Sequence, residues 1–315
     1  MPYHADNFTN QGMDVRKALR WLVIAVALAV VAGAAAFGGA VWMGERKRAR
    51  TVEVRVVPVA FTADAGALRQ GKYLFESRGC GECHGNDGAG RVMLNESNGL
   101  YVRTPNLTSG EGSPTAAYTE ADWVRSVRHG VNPRGRALLV MPSEDYNRFT
   151  DADLASIVAY ARSLPPVKGG AAEIRFPMFL TALYGAGVIP DGSEKIDHRL
   201  PPAQPVSVGV NTTHGAYVAN MCMGCHGEHF SGGKIPGGPP DWPPAANLTP
   251  GAGSVMTRYD TPERFIAMMR SGKRPDGSTV DKAMPFQTLA AINDTDLQAL
   301  YAYFRTLAPR EAGKR

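Results

Sequence analysis

From Trp21 to Met43 the chain runs for 23 residues without a charge, through Leu22-Val23-Ile24-Ala25-Val26-Ala27-Leu28 and on to Ala40-Val41-Trp42. At about 1.5 Å per residue this is long enough for one transmembrane helix. Trp21 and Trp42 stand where interfacial aromatics are expected. A cleaved signal peptide, with Ala34-Ala35-Ala36 as its small-residue site, is the competing reading. The polar lead of 20 residues and the length of the apolar run favour an uncleaved anchor. After it, Val52, Val54, Val56, Val57 and Val59 give way to Thr, Ala and Gly. The pattern fits an extended tether and equally an edge strand packed on the adjoining domain.

Further on, apolar residues fall at helical spacing twice. Leu154, Ile157, Val158, Ala161 and Leu164 mark one helix, and Leu297, Leu300, Tyr301, Phe304 and Leu307 the other. Thr150 and Asn293 cap their aspartate-rich first turns, and Pro165-Pro166 and Pro309 end them. Two shorter helices start at Thr119-Glu120-Ala121-Asp122-Trp123 and Thr261-Pro262-Glu263-Arg264-Phe265, and stop at Gly130 and Gly272. An opening helix precedes each, carrying Gly71-Lys72-Tyr73-Leu74-Phe75 and Gly215-Ala216-Tyr217-Val218.

These elements are one module written twice. Asn106-Leu107-Thr108 returns as Asn247-Leu248-Thr249 at a lag of 141, and Met141-Pro142 as Met284-Pro285 at 143. Asp151-Ala152-Asp153-Leu154 returns as Asp294-Thr295-Asp296-Leu297, also at 143. The expected organisation is an amino-terminal tail (1–20), an anchor (21–43), a tether (44–65), a first domain (66–167), a strap (168–208), a second domain (209–310) and a short tail (311–315). The strap includes Phe176-Pro177-Met178-Phe179-Leu180 and Leu183-Tyr184, too apolar for a free linker. It is expected to clamp the two domains together; a docking patch for a partner or the bilayer surface is the alternative.

Charge narrows the field. Of the net +5, residues 1–50 hold seven Lys or Arg against three acids, or +4, which leaves +1 for the rest. The basicity flanks an apolar segment and gives no sign of nucleic-acid binding.

All four cysteines lie in Cys80-Gly81-Glu82-Cys83-His84 and Cys222-Met223-Gly224-Cys225-His226, at a lag of 142. Cys-x-x-Cys-His is the attachment signature of c-type haem: two thiols add to the vinyl groups and the histidine takes one axial position on iron. A four-cysteine zinc site or a thioredoxin-like pair leaves unexplained the histidine that comes next both times. Two covalently bound haem c groups are expected, with His84 and His226 as proximal ligands. Met141, 57 residues after His84, and Met284, 58 after His226, are the expected distal ligands. Met93 and Met256 have no twin, while Met268 and Met269 lie inside a helix and Met221 and Met223 flank a cysteine. His129 is the rival to Met141, but its counterpart is Ser271, so a capping or solvent role is preferred. His229 reads as exposed, and His4, His198 and His214 show no partner. Asn106 and Asn247 suit either a haem propionate or a local turn, Tyr118 and Tyr259 the haem crevice, and Arg103 a propionate.

With these motifs the chain resembles class I c-type cytochromes over about 66–167 and 209–310. Pro105-Asn106-Leu107-Thr108, Tyr118-Thr119-Glu120-Ala121-Asp122 and Met141-Pro142 are similar to cytochrome subunits of bacterial membrane-bound alcohol and aldehyde dehydrogenases. Those subunits usually carry three haems, and this chain has two. The resemblance implies an all-α fold, two tandem class I cytochrome c-like domains after one transmembrane helix, in which Tyr160 and Tyr303 pack on the opening-helix glycines. It also implies haem domains in the periplasm on a single-pass inner-membrane anchor, because such haem is attached outside the cytoplasm. That overrides the loop charges: Arg46, Lys47, Arg48 and Arg50 outnumber Arg16, Lys17 and Arg20. The implied role is electron transfer, with no catalytic residues. Its redox partners are a dehydrogenase, quinol-oxidising complex or terminal oxidase. A dihaem peroxidase and a fixed subunit of a larger complex are the rivals.

Overall fold

In a computed structural model of the protein, residues 15–236, 238–239 and 241–314 are described; His4 and most of the amino-terminal tail lie outside them. Helix α1 (Val15–Ala49) extends beyond the 21–43 span at both ends, so all the flanking basic residues but Arg50 are helical too. Among the described residues it is the one helix long and apolar enough to cross a membrane.

Residues 50–64 form no regular element. They run extended over the first repeat: Val52 N–H donates to Gly135 O at 2.8 Å, and Val56, Val59 and Phe61 pack against its core. The segment is thus neither a free tether nor a strand.

The first repeat opens with α2 (Ala65–Ser77), capped by Asp64, and continues into α3 (Cys80–His84). A hairpin of β1 (Val92–Asn95) and β2 (Tyr101–Arg103) comes next. Then come α4 (Glu120–His129), α5 (Ser143–Tyr146) and α6 (Asp151–Ser163). Thr119 and Asp122 close a reciprocal capping box, and Gly130 ends α4 at φ 63°. The strap contributes β3 (Glu173–Arg175), antiparallel to β2, and α7 (Met178–Gly185). The second repeat holds α8 (Thr212–Ala219), α9 (Met223–His226), α10 (Pro262–Ser271), α11 (Phe286–Leu289) and α12 (Asp294–Thr306). Among the described residues the molecule is mostly helical, with one small three-stranded sheet that an all-α expectation omits. Two of its strands lie inside one repeat and the third comes from the strap, so no single stretch of sequence carries the sheet.

Each repeat has its own core. Leu74, Phe75, Trp123, Leu154 and Ile157 lead the first, and Phe265, Met268, Met269, Leu297 and Leu300 the second. The crossings α2–α6 and α8–α12 are tight at glycine. A Cβ on Gly71 would lie 2.0 Å from Ser156 O, and one on Gly215 2.0 Å from Ala299 O. Tyr160 and Tyr303 flank these points, their Cβ atoms 2.7 Å from the same positions.

The strap does not act as the expected clamp between the two repeats. Its β3 joins the first repeat's sheet, α7 packs along α1, and Arg148 of the first repeat donates to Pro201 O. Asp191 and Glu194 receive Arg50, and Glu194 also receives Lys47. The strap fastens the first repeat to the end of α1; the repeats hold each other directly.

Candidate functional site

Both cysteine motifs form a single helical turn that leaves through a glycine at positive φ, Gly85 at 78° and Gly227 at 82°. The histidines are tethered alike. His84 Nδ1 donates to Pro105 O at 3.1 Å and His226 Nδ1 to Ala246 O at 2.8 Å. A carbonyl only accepts, so Nδ1 carries the proton and Nε2 keeps its lone pair for a metal. Burial lowers the His84 pKa, outweighing the carbonyl bond that raises it, and the ring is neutral as ligation requires. Backbone bonds fix each motif: Gly90 N–H to His84 O at 2.8 Å, and Gly232 N–H to His226 O at 2.9 Å.

Met141 packs against the core cluster that also receives Cys80, and Met284 against the one that receives Cys222. Met268 and Met269 are buried in α10, and Met256, also buried, belongs to the same core. Met221 and Met223 pack beside Cys222, and Met93 lies on β1. His229 is exposed.

Asn106 and Asn247 are fully buried and belong to the backbone. Asn106 Nδ2 donates to Val167 O at 2.7 Å while its Oδ1 accepts from Thr108 N–H at 2.8 Å. Asn247 does the same with Arg310 O and Thr249 N–H, at 2.8 and 2.9 Å. Each ties the loop bearing the histidine's acceptor to the exit of the closing helix. Tyr118 stacks edge-on to Trp123, and Tyr259 is buried against Phe265. Arg103 sits on β2 with its guanidinium against Gly170.

The sequence does not single out Trp123. Its Nε1 is buried without a hydrogen-bond partner, in the same core that receives Cys80 and Met141. A buried indole N–H normally has a partner, and a carboxylate-bearing group such as haem would satisfy it. The donor set therefore fits haem: two thiols, a neutral imidazole, a thioether and an orphan donor. The counterpart in the second repeat is Phe265, which has no donor.

His129 is neither a cap nor solvated. It is buried, with Nδ1 3.0 Å from His198 Nδ1, so His198, which shows no partner in the sequence, finds one in His129. His214 is buried as well, its Nε2 2.8 Å from Asp296 Oδ1.

Asp296 belongs to an approximately twofold contact between the repeats. Tyr73 Oη donates to Asp296 Oδ2 at 2.6 Å and accepts Asn293 N–H at 3.2 Å. Its twin Tyr217 donates to Asp153 and accepts Thr150 N–H at 3.2 Å. Each opening helix thereby completes the amino terminus of the other repeat's closing helix. The motif helices join in: Glu82 accepts Thr288 N–H at 3.1 Å, and Asp145 accepts Gly224 N–H at 3.1 Å. Buried Arg78, two residues before Cys80, pairs with Asp296 at 2.8 Å. Both motif helices therefore lie at the junction of the repeats.

Two family models match the chain, "Cytochrome C oxidase, cbb3-type, subunit III" over residues 66–160 and "Cytochrome c" over 214–308. The chain carries two cytochrome c domains. They hold two covalently bound haem c groups. The cytochrome c subunit of alcohol dehydrogenase (quinone) from Gluconacetobacter polyoxogenes is 38% identical over 96 residues, 29% of this chain and 20% of that protein. The fructose dehydrogenase cytochrome subunit of Gluconobacter japonicus is 30% identical over 154 residues, 45% of this chain and 30% of the relative. The cbb3-type cytochrome c oxidase subunit CcoP of Helicobacter pylori (strain 52) is 32% identical over 118 residues, 37% of this chain and 35% of the relative. The chain thus spans between a fifth and about a third of the length of these relatives.

Proposed function

We propose that the protein is a membrane-anchored dihaem cytochrome c that transfers electrons between a respiratory complex or dehydrogenase and a downstream acceptor or oxidase. Residues 21–43 anchor it in the bacterial inner membrane and both haem domains face the periplasm. Haem c supplies a one-electron iron couple when bound, and the chain supplies position, a dry pocket and tuning of the potential. Cys80 and Cys83 bind one haem covalently and Cys222 and Cys225 the other. His84 and His226 would hold the iron through Nε2. Met141 and Met284 would supply the second protein ligand to each iron, and an iron held on both sides suits electron transfer over chemistry at an open position. Trp123 Nε1 would be available to donate to a carboxylate of the first haem.

The observation that carries this reading is the duplicated tether, an imidazole held by a backbone carbonyl at 3.1 Å in one domain and 2.8 Å in the other. Each domain then has its Met-Pro loop on the core that receives its own motif. The test is the spectrum of the haem-loaded protein. A methionine–sulfur band near the red end should be present, and Met141→Ala and Met284→Ala should each remove about half of it. A high-spin haem in the unsubstituted protein would favour a peroxidase instead. A fixed place within a larger complex is the second reading. It is supported by similarity to a subunit of alcohol dehydrogenase (quinone) and to CcoP, and co-purification from solubilised membranes separates it from a tethered shuttle.

A further inference from the structure

Phe176 to Pro190 is fifteen residues without a charge, bracketed by Arg175 and Asp191. Its position along α1 descends and then returns. Arg48 donates to Ile174 O at 3.0 Å and covers the Phe176 ring; Thr181 lies against Gly44; Gly185 lies against Ala40. Asp191 is then back at Arg50, at 2.8 Å. Helix α7 thus runs antiparallel to α1, and the turn after it is level with Ala40. That is about 6 Å below Gly44, the last residue before the charges resume at Glu45, at 1.5 Å per residue.

Three features match what a bilayer demands of such a segment. Its outward side chains are apolar, with Met178 70%, Phe179 56% and Val188 64% exposed, continuous with the exposed apolar surface of α1. Its turn satisfies its own N–H groups: Ala186 N–H donates to Ala182 O at 2.8 Å, Gly187 to Tyr184 O at 3.2 Å and Val188 to Leu183 O at 2.9 Å. At a depth of about 6 Å its carbonyls stay within reach of the hydrated headgroup layer, so the turn does not need the protein cover that irregular backbone requires in the hydrocarbon core. The collar above it is densely charged, with the ion pairs Lys47–Glu194, Arg48–Glu45 and Arg175–Glu173 and with Arg46, as a headgroup layer accommodates and a hydrocarbon layer does not.

We propose that residues 176–190 form a re-entrant hairpin that dips into the outer leaflet beside α1, its occupant being lipid acyl chains rather than a protein. The proposal rests on the reading of α1 as a membrane anchor. The hairpin reaches about the depth at which interfacial helices sit, 5–10 Å. Combined with the ion pairs of Arg50 and Lys47 to Asp191 and Glu194, it mounts the first cytochrome domain rigidly on the bilayer.

The test uses full-length, haem-loaded protein in nanodiscs of phosphatidylcholine and phosphatidylglycerol. Photoreactive benzoylphenylalanine replaces Val31, Met178, Val188 or Val210 in turn, and adducts are identified by mass. Lipid adducts at Val188 should approach those at Val31 and exceed those at Val210 by about tenfold or more, with Met178, level with Lys47 at the headgroups, in between. Adducts at Val31 with none at Met178 or Val188 would overturn the hairpin while leaving the anchor intact. Absence at all four would overturn the anchor, and the hairpin with it. In native membranes a protein adduct in place of lipid at Val188 would also overturn the proposal.

Discussion

The most informative perturbation is a single methyl group at each helix crossing. In Gly71→Ala the new Cβ would stand 2.0 Å from Ser156 O, whereas a carbon–oxygen contact normally stays at about 3.3 Å. Helices α2 and α6 must therefore separate by about 1.3 Å, since the obstructing atom is backbone and cannot rotate away. Alanine recovers about 1 kcal/mol of helix propensity over glycine. Overpacking a core costs about 1–3 kcal/mol, and here the full crossing shifts, so the top of that range applies. The net expectation is about 2 kcal/mol of destabilisation, or a melting point about 8–16 °C lower for a domain of this size. Gly215→Ala should match it in the second domain, where Ala299 O also lies at 2.0 Å. Thermal unfolding of the holoprotein in detergent, followed by far-ultraviolet circular dichroism and the methionine–sulfur band, measures both. A Gly71→Ala protein as stable as the parent to within about 0.5 kcal/mol would refute the close-packed crossing.

Asn106→Ala and Asn247→Ala should each cost about 1–3 kcal/mol in denaturant unfolding, because each strips a buried loop of its acceptor and donor together. Tyr73→Phe and Tyr217→Phe should have similar effects, about 1.5–3 kcal/mol each for a lost bond to a carboxylate, with faster amide exchange at the start of the opposite domain's closing helix. Asp296 adds a pH dependence. Burial raises its pKa, but the Arg78 charge and bonds from Tyr73, Arg78 and His214 lower it further, so the folded value lies below the usual carboxylate range. Its contribution is therefore present above an unfolded value of about 3.9 and is lost as pH falls through the folded one. The share that Asp296 contributes should be lost in that acid window, and Asp296→Asn should flatten that part of the denaturation profile.

Much of each domain was legible because local rules and tertiary packing agree. Thr119, Thr150, Thr261 and Asn293 cap helices where their side chains can reach a free N–H three residues on. Gly71 and Gly215 stand out because a repeat makes them recur. What the chain hid depends on placement between segments. The hairpin β1–β2 gains its third strand from residues some seventy positions later, and His129 finds His198 across a similar distance. Trp123 gives no sequence signal as a polar group, since its twin Phe265 shares only the apolar part of its role. The composition of the strap reports that it must bury itself but not against what.

The reciprocal tyrosines have a further implication. An isologous contact, in which the same two patches meet twice, is how two identical subunits pair in a symmetric dimer. Here Tyr73 with Asp296 and Tyr217 with Asp153 reproduce that pairing inside one polypeptide. The interface has the form that two identical single-haem subunits would use to pair. Arg78 against its counterpart Asn220, and Glu82 against Gly224, mark where the two halves depart from that symmetry.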